Sequence, residues 1–148
     1  MRQLILLRHA HAESATSGQD DLERPLSETG RAEARAAGDW LREHGLQPDR
    51  VLSSSAARTR ETLAALGDIG GAEVHEDASI YEASPGTLVA LADANRDAER
   101  LLLVGHNPGL EQLAALMHSG MTGDYRGMPP GGIAVLTLPV DVNIEPGI

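Results

Sequence analysis

Four short apolar runs, Leu4–Leu7, Val51–Leu52, Leu101–Val104 and Ile133–Leu138, recur along the chain with stretches of helical periodicity between them. Their length and their early stop at charged or turn residues read as strands, although periodicity alone does not separate a short buried strand from a helix. Runs that are apolar throughout have to be covered on both sides. Strand alternating with helix therefore predicts an α/β fold of three layers, α/β/α, with a mainly parallel sheet covered by helices on both faces. No repeat or linker breaks the order, so residues 1–148 read as one domain, with 141–148 as a loose tail.

Helix boundaries are written in cap residues. Ser27 offers an N-cap with Glu28 at the positive end of the dipole, and Ala34, Ala37 and Leu41 share one face before Gly45. The serines at 53–55 are expected to cap a second helix carrying Leu63 and Leu66, which Gly67, Gly70 and Gly71 break. Ser84 and Pro85 open a third, with Leu88, Leu91 and Ala92 on one face. Asn107 caps and Pro108 starts a fourth, whose Leu110, Leu113, Ala114 and Met117 form an i, i+3, i+4, i+7 stripe. Glu73–His75 is a weak strand, and Glu13–Arg24 is a polar loop.

The chain has no Cys and no Lys, and its 12 Arg face 22 Asp plus Glu for a net charge of −10. Thiolate nucleophiles, disulfides and Cys-based zinc sites are excluded, as are Schiff bases and a phosphate-binding lysine. The acidic mean field argues against nucleic acid and acidic membranes as partners. Leu4–Leu7 is too short for a signal-peptide core or a membrane span, so a cytoplasmic protein is expected, with a monomer as the default state.

Ligands of open α/β sheets bind beyond the carboxyl ends of the strands. Arg8 and His9 end the first run, Arg58 follows the second through the serines, Glu82 precedes the cap at Ser84, and Gly105-His106-Asn107 ends the fourth strand. Two Arg, two His and one Glu thus meet at one rim. Arg8 and Arg58 suggest a phosphate clamp, because a guanidinium presents a planar fork of donors. Two nearby cations would push an imidazole down from its usual value of about 6.5, leaving it neutral and nucleophilic. Such a ring can attack phosphorus and carry the phosphoryl group, while Glu82 could protonate the leaving group.

The run Leu6-Leu7-Arg8-His9-Ala10-His11-Ala12 resembles the Arg-His-Gly signature of the histidine phosphatase superfamily in an Arg-His-Ala variant. Pro25–Gly30, Val51–Ser54 leading to Arg58-Thr59-Arg60-Glu61-Thr62, and Val104–Pro108 are similar to further segments of that family, in its order. The small size and Tyr81-Glu82-Ala83-Ser84 look closest to its small, SixA-like phosphohistidine phosphatases. The resemblance implies His9 as nucleophile and Arg8, Arg58 and His106 as phosphate pocket; Asn107, next to His106, is read as a further phosphate-binding residue. It puts Glu82 where many members carry an acid, a role the small phosphohistidine phosphatases do not all keep. Ala12 stands where a hydroxyl residue is common, which weakens a sugar-phosphate mutase reading.

The expected activity is removal of phosphate from a phosphorylated histidine-containing protein. The alternatives are a phosphoesterase acting on a small phosphorylated substrate and a non-catalytic phosphate-binding module. No cofactor is expected. No metal is expected either, since Arg8 repels a cation beside the His9-x-His11 pair. Arg60 is the substitute for Arg58 if the register differs. Arg31, His44, His75 and His118 read as structural, His11 as a rim residue, and Asp20-Asp21 as solvated surface.

Overall fold

The computed structural model describes residues 2–119 and 128–138; the expected tail at 141–148, Tyr125 and the side chain of His118 lie outside them. The described residues form strands β1 (Arg2–Arg8), β2 (Arg50–Ser53), β3 (Glu73–Glu76), β4 (Arg100–Gly105) and β5 (Ile133–Leu138). Between them lie helices α1 (Glu28–Glu43), α2 (Ala57–Ala65), α3 (Pro85–Ala94) and α4 (Gly109–Ser119). The sheet order is β3-β2-β4-β1-β5. Its first four strands are parallel, and β5 runs antiparallel against β1. This is the three-layer α/β/α arrangement that the alternation predicts.

From β1 to β2 to β3 the chain steps one way across the sheet, and from β3 to β4 it steps back. Right-handed crossovers therefore send α1 and α2 to one face and α3 to the other, where α4 joins it. Alternate strand residues serve the two layers. Leu4, Leu6, Leu101 and Leu103 pack with Leu88, Val89, Leu110 and Leu113. Ile5, Leu7, Leu102 and Val104 pack with Ala37, Leu41 and Leu66. None of the eight strand residues is solvent-exposed, and burial of each such side chain contributes about 1.5–3 kcal/mol.

Helix α1 begins as expected, with Ser27 Oγ accepting from the Gly30 N–H at 3.0 Å. Gly30 is required here, because a Cβ would collide with the His11 carbonyl. Likewise a Cβ at Gly38 would strike the Leu66 carbonyl, so α1 and α2 touch at backbone distance. Helix α3 keeps its Ser84 cap, which accepts from the Thr87 N–H at 3.2 Å, and its Pro85.

The serine cap of α2 does not form. The N-cap is Ala56, with no side-chain hydrogen bond. The helix starts past the serines, and Ser53 and Ser54 are buried, with hydroxyls turned to other partners. Leu66 closes this helix as its C-cap and does not belong to its body. Helix α4 starts at Gly109, one residue after Pro108. Asn107 Oδ1 still supports it from further out, accepting from the Glu111 N–H at 3.3 Å.

The weak strand β3 forms as an exposed edge beside β2. Within the polar loop a 3-10 turn covers Asp21–Glu23. That loop starts and ends at one place: Ala12 bridges Leu26, and the Glu13 N–H donates to the Pro25 carbonyl at 2.8 Å.

Candidate active site

Strands β1 and β4 are neighbours whose onward connections leave toward opposite faces, which opens a crevice at their carboxyl ends. Arg8 is in register with Gly105 there. The His9 N–H donates to the Gly105 carbonyl at 3.0 Å, and the Gly131 N–H reaches the carbonyls of Arg8 and His9 at 3.2 and 3.1 Å. The backbone that carries His9 is thus held by β4 on one side and by the turn leading into β5 on the other. Ala10, where the family signature usually has Gly, is fully buried against Leu26 and Ala34.

His9 itself is only 9% exposed. Its Nδ1 lies 2.7 Å from the Ala10 carbonyl. A carbonyl only accepts, so Nδ1 carries the proton and Nε2 keeps its lone pair. The imidazole is pushed down to about 4, first by burial and then by the charges of Arg58, Arg8 and Arg24. The direction matches the sequence expectation, but the largest cause is desolvation and not the cations.

His106 sits with its ring centroid 5.3 Å from that of His9. Its Nε2 pairs with Ser54 Oγ at 2.8 Å, and its Nδ1 is buried without a hydrogen-bond partner among the described residues. Burial, followed by Arg58 and His9, pushes it down to about 3. Arg8 donates through one terminal nitrogen to the Met128 carbonyl at 2.8 Å, and its Nε is buried and unpartnered.

Arg58, in the first turn of α2 and 6% exposed, donates to the Asp21 carbonyl at 2.7 Å and to Asp21 Oδ2 at 2.9 Å. Its Nε likewise has no partner. Tyr81 joins the group: its hydroxyl donates to Asp21 Oδ2, its ring meets His106 edge-on at 5.4 Å, and the Arg58 guanidinium lies 5.7 Å over it. Arg24 Nε is 3.4 Å from Asp21 Oδ1. All these side chains except Ser54 line one pocket of about 530 Å³.

Glu82 and Asn107 also line that pocket. Glu82 is exposed at its edge on a left-handed backbone, φ 56°. Asn107 has its amide committed: Nδ2 donates to Glu111 Oε2 at 3.1 Å and to the Met128 carbonyl at 2.8 Å, while Oδ1 accepts from Glu111. Arg60 points elsewhere, pairing with Glu76 at 3.6 Å, and Arg31 pairs with Glu61. His11 supports α1 through Ser27 Oγ at 2.7 Å. His44 stacks on Trp40 and His75 pairs with Glu73. Among the described residues no three His, Asp or Glu are placed to share a metal ion.

Four participants escape the sequence reading. Asp21 is not merely solvated: its side chain is 47% exposed, yet it ties Arg58 to Tyr81. Arg24 and Asp21 lie in a loop without periodicity, and Ser54 resembles a cap. Tyr81 is one of three aromatic residues and part of the Tyr81-Glu82-Ala83-Ser84 segment, but neither fact gives it a place in the site.

The model of the histidine phosphatase superfamily (branch 1) matches residues 4–106. A Mycobacterium tuberculosis protein of uncharacterised function is 38% identical, over 93% of this chain and 92% of its own length. Phosphohistidine phosphatase SixA of Escherichia coli is 30% identical, over 81% of this chain and 76% of its own. A SixA-type structure from Agrobacterium tumefaciens superposes with a TM-score of 0.80 at 34% identity, covering 90% of both chains. The chain belongs to the histidine phosphatase superfamily and is a phosphohydrolase of its SixA-like group. No helix among the described residues is long and apolar enough to cross a membrane.

Proposed function

We propose that the protein is a metal-independent phosphohistidine phosphatase that works through a phosphorylated His9. One observation carries this reading. Four buried nitrogens, Arg8 Nε, Arg24 Nε, Arg58 Nε and His106 Nδ1, lie around one pocket without hydrogen-bond partners among the described residues, although buried polar groups are normally partnered. Arg24 Nε is 3.4 Å from Asp21 Oδ1; the other three suit the three non-bridging oxygens of a phosphoryl group. Ser54 completes the set: when its hydroxyl donates to Nε2 of neutral His106, the proton of that ring resides on Nδ1.

His9 Nε2 attacks phosphorus, and the bond from phosphorus to the substrate nitrogen breaks with its electron pair passing to that nitrogen. Protonated on its distal nitrogen, the departing imidazole leaves neutral. Water then attacks the phosphoryl group, the bond to Nε2 breaks, orthophosphate departs and the proton of the water is released. Donors fixed around the equatorial oxygens stabilise both transition states without moving.

The leaving group favours a phosphoramidate over an ester. An alkoxide needs a proton from the enzyme, whereas Glu82 is exposed at the pocket edge. Asp21 is held below the usual carboxylate range by the Tyr81 hydroxyl and by Arg58. The substrate is accordingly a phosphorylated histidine side chain on a partner protein, in the cytoplasm.

The test is to incubate the protein with a phosphohistidine-bearing domain in EDTA and trap acid-labile, base-stable phosphate. It should form on the wild-type protein and be absent from His9→Ala. Undiminished turnover in His9→Ala refutes the nucleophile, and a large rate preference for a small phosphate ester refutes the protein substrate.

A further inference from the structure

The carboxylate of Asp21 stands in a pocket otherwise built to attract anions. It is clasped by two of the three arginines that line that pocket, Arg58 at 2.9 Å and Arg24 at 3.4 Å, and by the Tyr81 hydroxyl. Its own backbone carbonyl takes a second Arg58 nitrogen at 2.7 Å. Such multiple anchoring leaves the carboxylate little freedom to swing out when a substrate enters.

Position matters as much as charge. His9 and Arg58 are 9% and 6% exposed, whereas the Asp21 side chain is 47% exposed, so Asp21 forms the outer wall. In an in-line displacement the leaving group departs on the side of phosphorus opposite the nucleophile, which here is outward, past Asp21 and Glu82. Three guanidinium charges face the carboxylates of Asp21 and Glu82, a net of one positive charge that suits a single phosphoryl group and not a further anion. A second anionic group on the leaving side meets the two carboxylates.

We propose that Asp21 is a specificity-determining residue, a fixed carboxylate that admits a phosphoryl group on a neutral or cationic leaving group and repels one whose leaving group carries a further phosphate or a carboxylate. This rests on the phosphatase reading for its biological meaning, but the binding preference stands by itself.

The experiment compares wild type, Asp21→Asn and Asp21→Glu by calorimetric titration with orthophosphate and with pyrophosphate, and measures kcat/KM on phosphoimidazole in parallel. Asp21→Asn should improve pyrophosphate binding relative to orthophosphate by roughly five- to tenfold, the size of one charge–charge interaction at a partly solvated site. Asp21→Glu should keep the wild-type ratio. An unchanged ratio in Asp21→Asn, or an equal gain for both ligands, overturns the proposal. If Asp21→Asn does not fold by circular dichroism, Asp21→Ser carries the same test. The binding ratio decides on Asp21 whether or not phosphoimidazole is turned over; the phosphatase reading falls separately, if the wild-type protein leaves a phosphohistidine-bearing domain untouched.

Discussion

Arg8 and Gly105 face each other across the β1–β4 ladder, and this pairing brings His9 and His106 together. The residue that follows each strand is a histidine, and the two rings lie 5.3 Å apart with planes tilted by 56°. A single parallel register therefore assembles both imidazoles, although 96 residues separate them in sequence. His9→Gln is expected to keep the fold and lose the chemistry. Turnover of phosphohistidine should fall by at least ~10³-fold, the scale for loss of a covalent nucleophile. Circular dichroism and single-turnover trapping of phosphate check this.

Low values for the two histidines, about 4 for His9 and about 3 for His106, fix the acid side of the pH profile. Both rings remain neutral at pH 6.5, so neither contributes a break there, and a change in kcat/KM near that value belongs to the substrate imidazole, whose distal proton the leaving group needs. The enzyme's own limb comes only as the pH falls through about 4, where His9 Nε2 takes a proton. An NMR titration of the His9 ring with a midpoint near 6.5 would contradict the neutral nucleophile.

Stability should respond to pH before activity does. In the unfolded chain each histidine takes up a proton near its ordinary value of about 6.5, while in the folded protein it resists to about 4 or 3. Below pH 6.5 the unfolded state binds more protons, so stability falls as the pH drops from there toward 4. The loss is on the order of 2–3 kcal/mol for each histidine by pH 4. Urea midpoints between pH 7 and 4 should show this decline, and His106→Gln should flatten it.

Arg58→Lys is expected to behave like a loss and not like a conservative exchange. The guanidinium spans the Asp21 carbonyl and carboxylate while its Nε stays unpartnered. A point ammonium cannot cover that fork. A decrease in kcat/KM of about 10²-fold or more, with tungstate or orthophosphate affinity falling in step, is the expected outcome by kinetics and titration.

Ser54→Ala removes the hydroxyl that fixes His106 Nε2 at 2.8 Å. Either tautomer of His106 then becomes available. We expect kcat to fall by about tenfold or more, in line with loss of a partner that orients an active-site histidine. Stability should drop by roughly 1 kcal/mol. Ser54→Thr, which restores a hydroxyl, should recover part of the rate.

Most of the layer order was legible because the strand runs are apolar on both sides, a property set by burial alone. The Ser27 and Ser84 caps were legible for a similar reason, since their signals lie within three residues of the helix they start. The serines after β2 misled because Ser54 is the same residue type doing a different task, bonding across the sheet to His106. Arg8, His9, Arg58 and His106 could be read from their places at strand ends. Asp21, Arg24 and Tyr81 could not, since their meeting depends on how one irregular loop folds back over the pocket. Nor could the amide of Asn107 be assigned, because Glu111 and Met128 claim it only once α4 and the approach to β5 are in place.

The closure of residues 13–25 at the Ala12–Leu26 bridge gives that loop the character of a cassette. It leaves the framework and returns to it at the same spot, so its contents can be exchanged without moving the strands that hold His9. Because Asp21 and Arg24 sit inside it, rewriting that segment would change what stands at the pocket mouth while the β1–β4 pairing keeps His9 and His106 side by side.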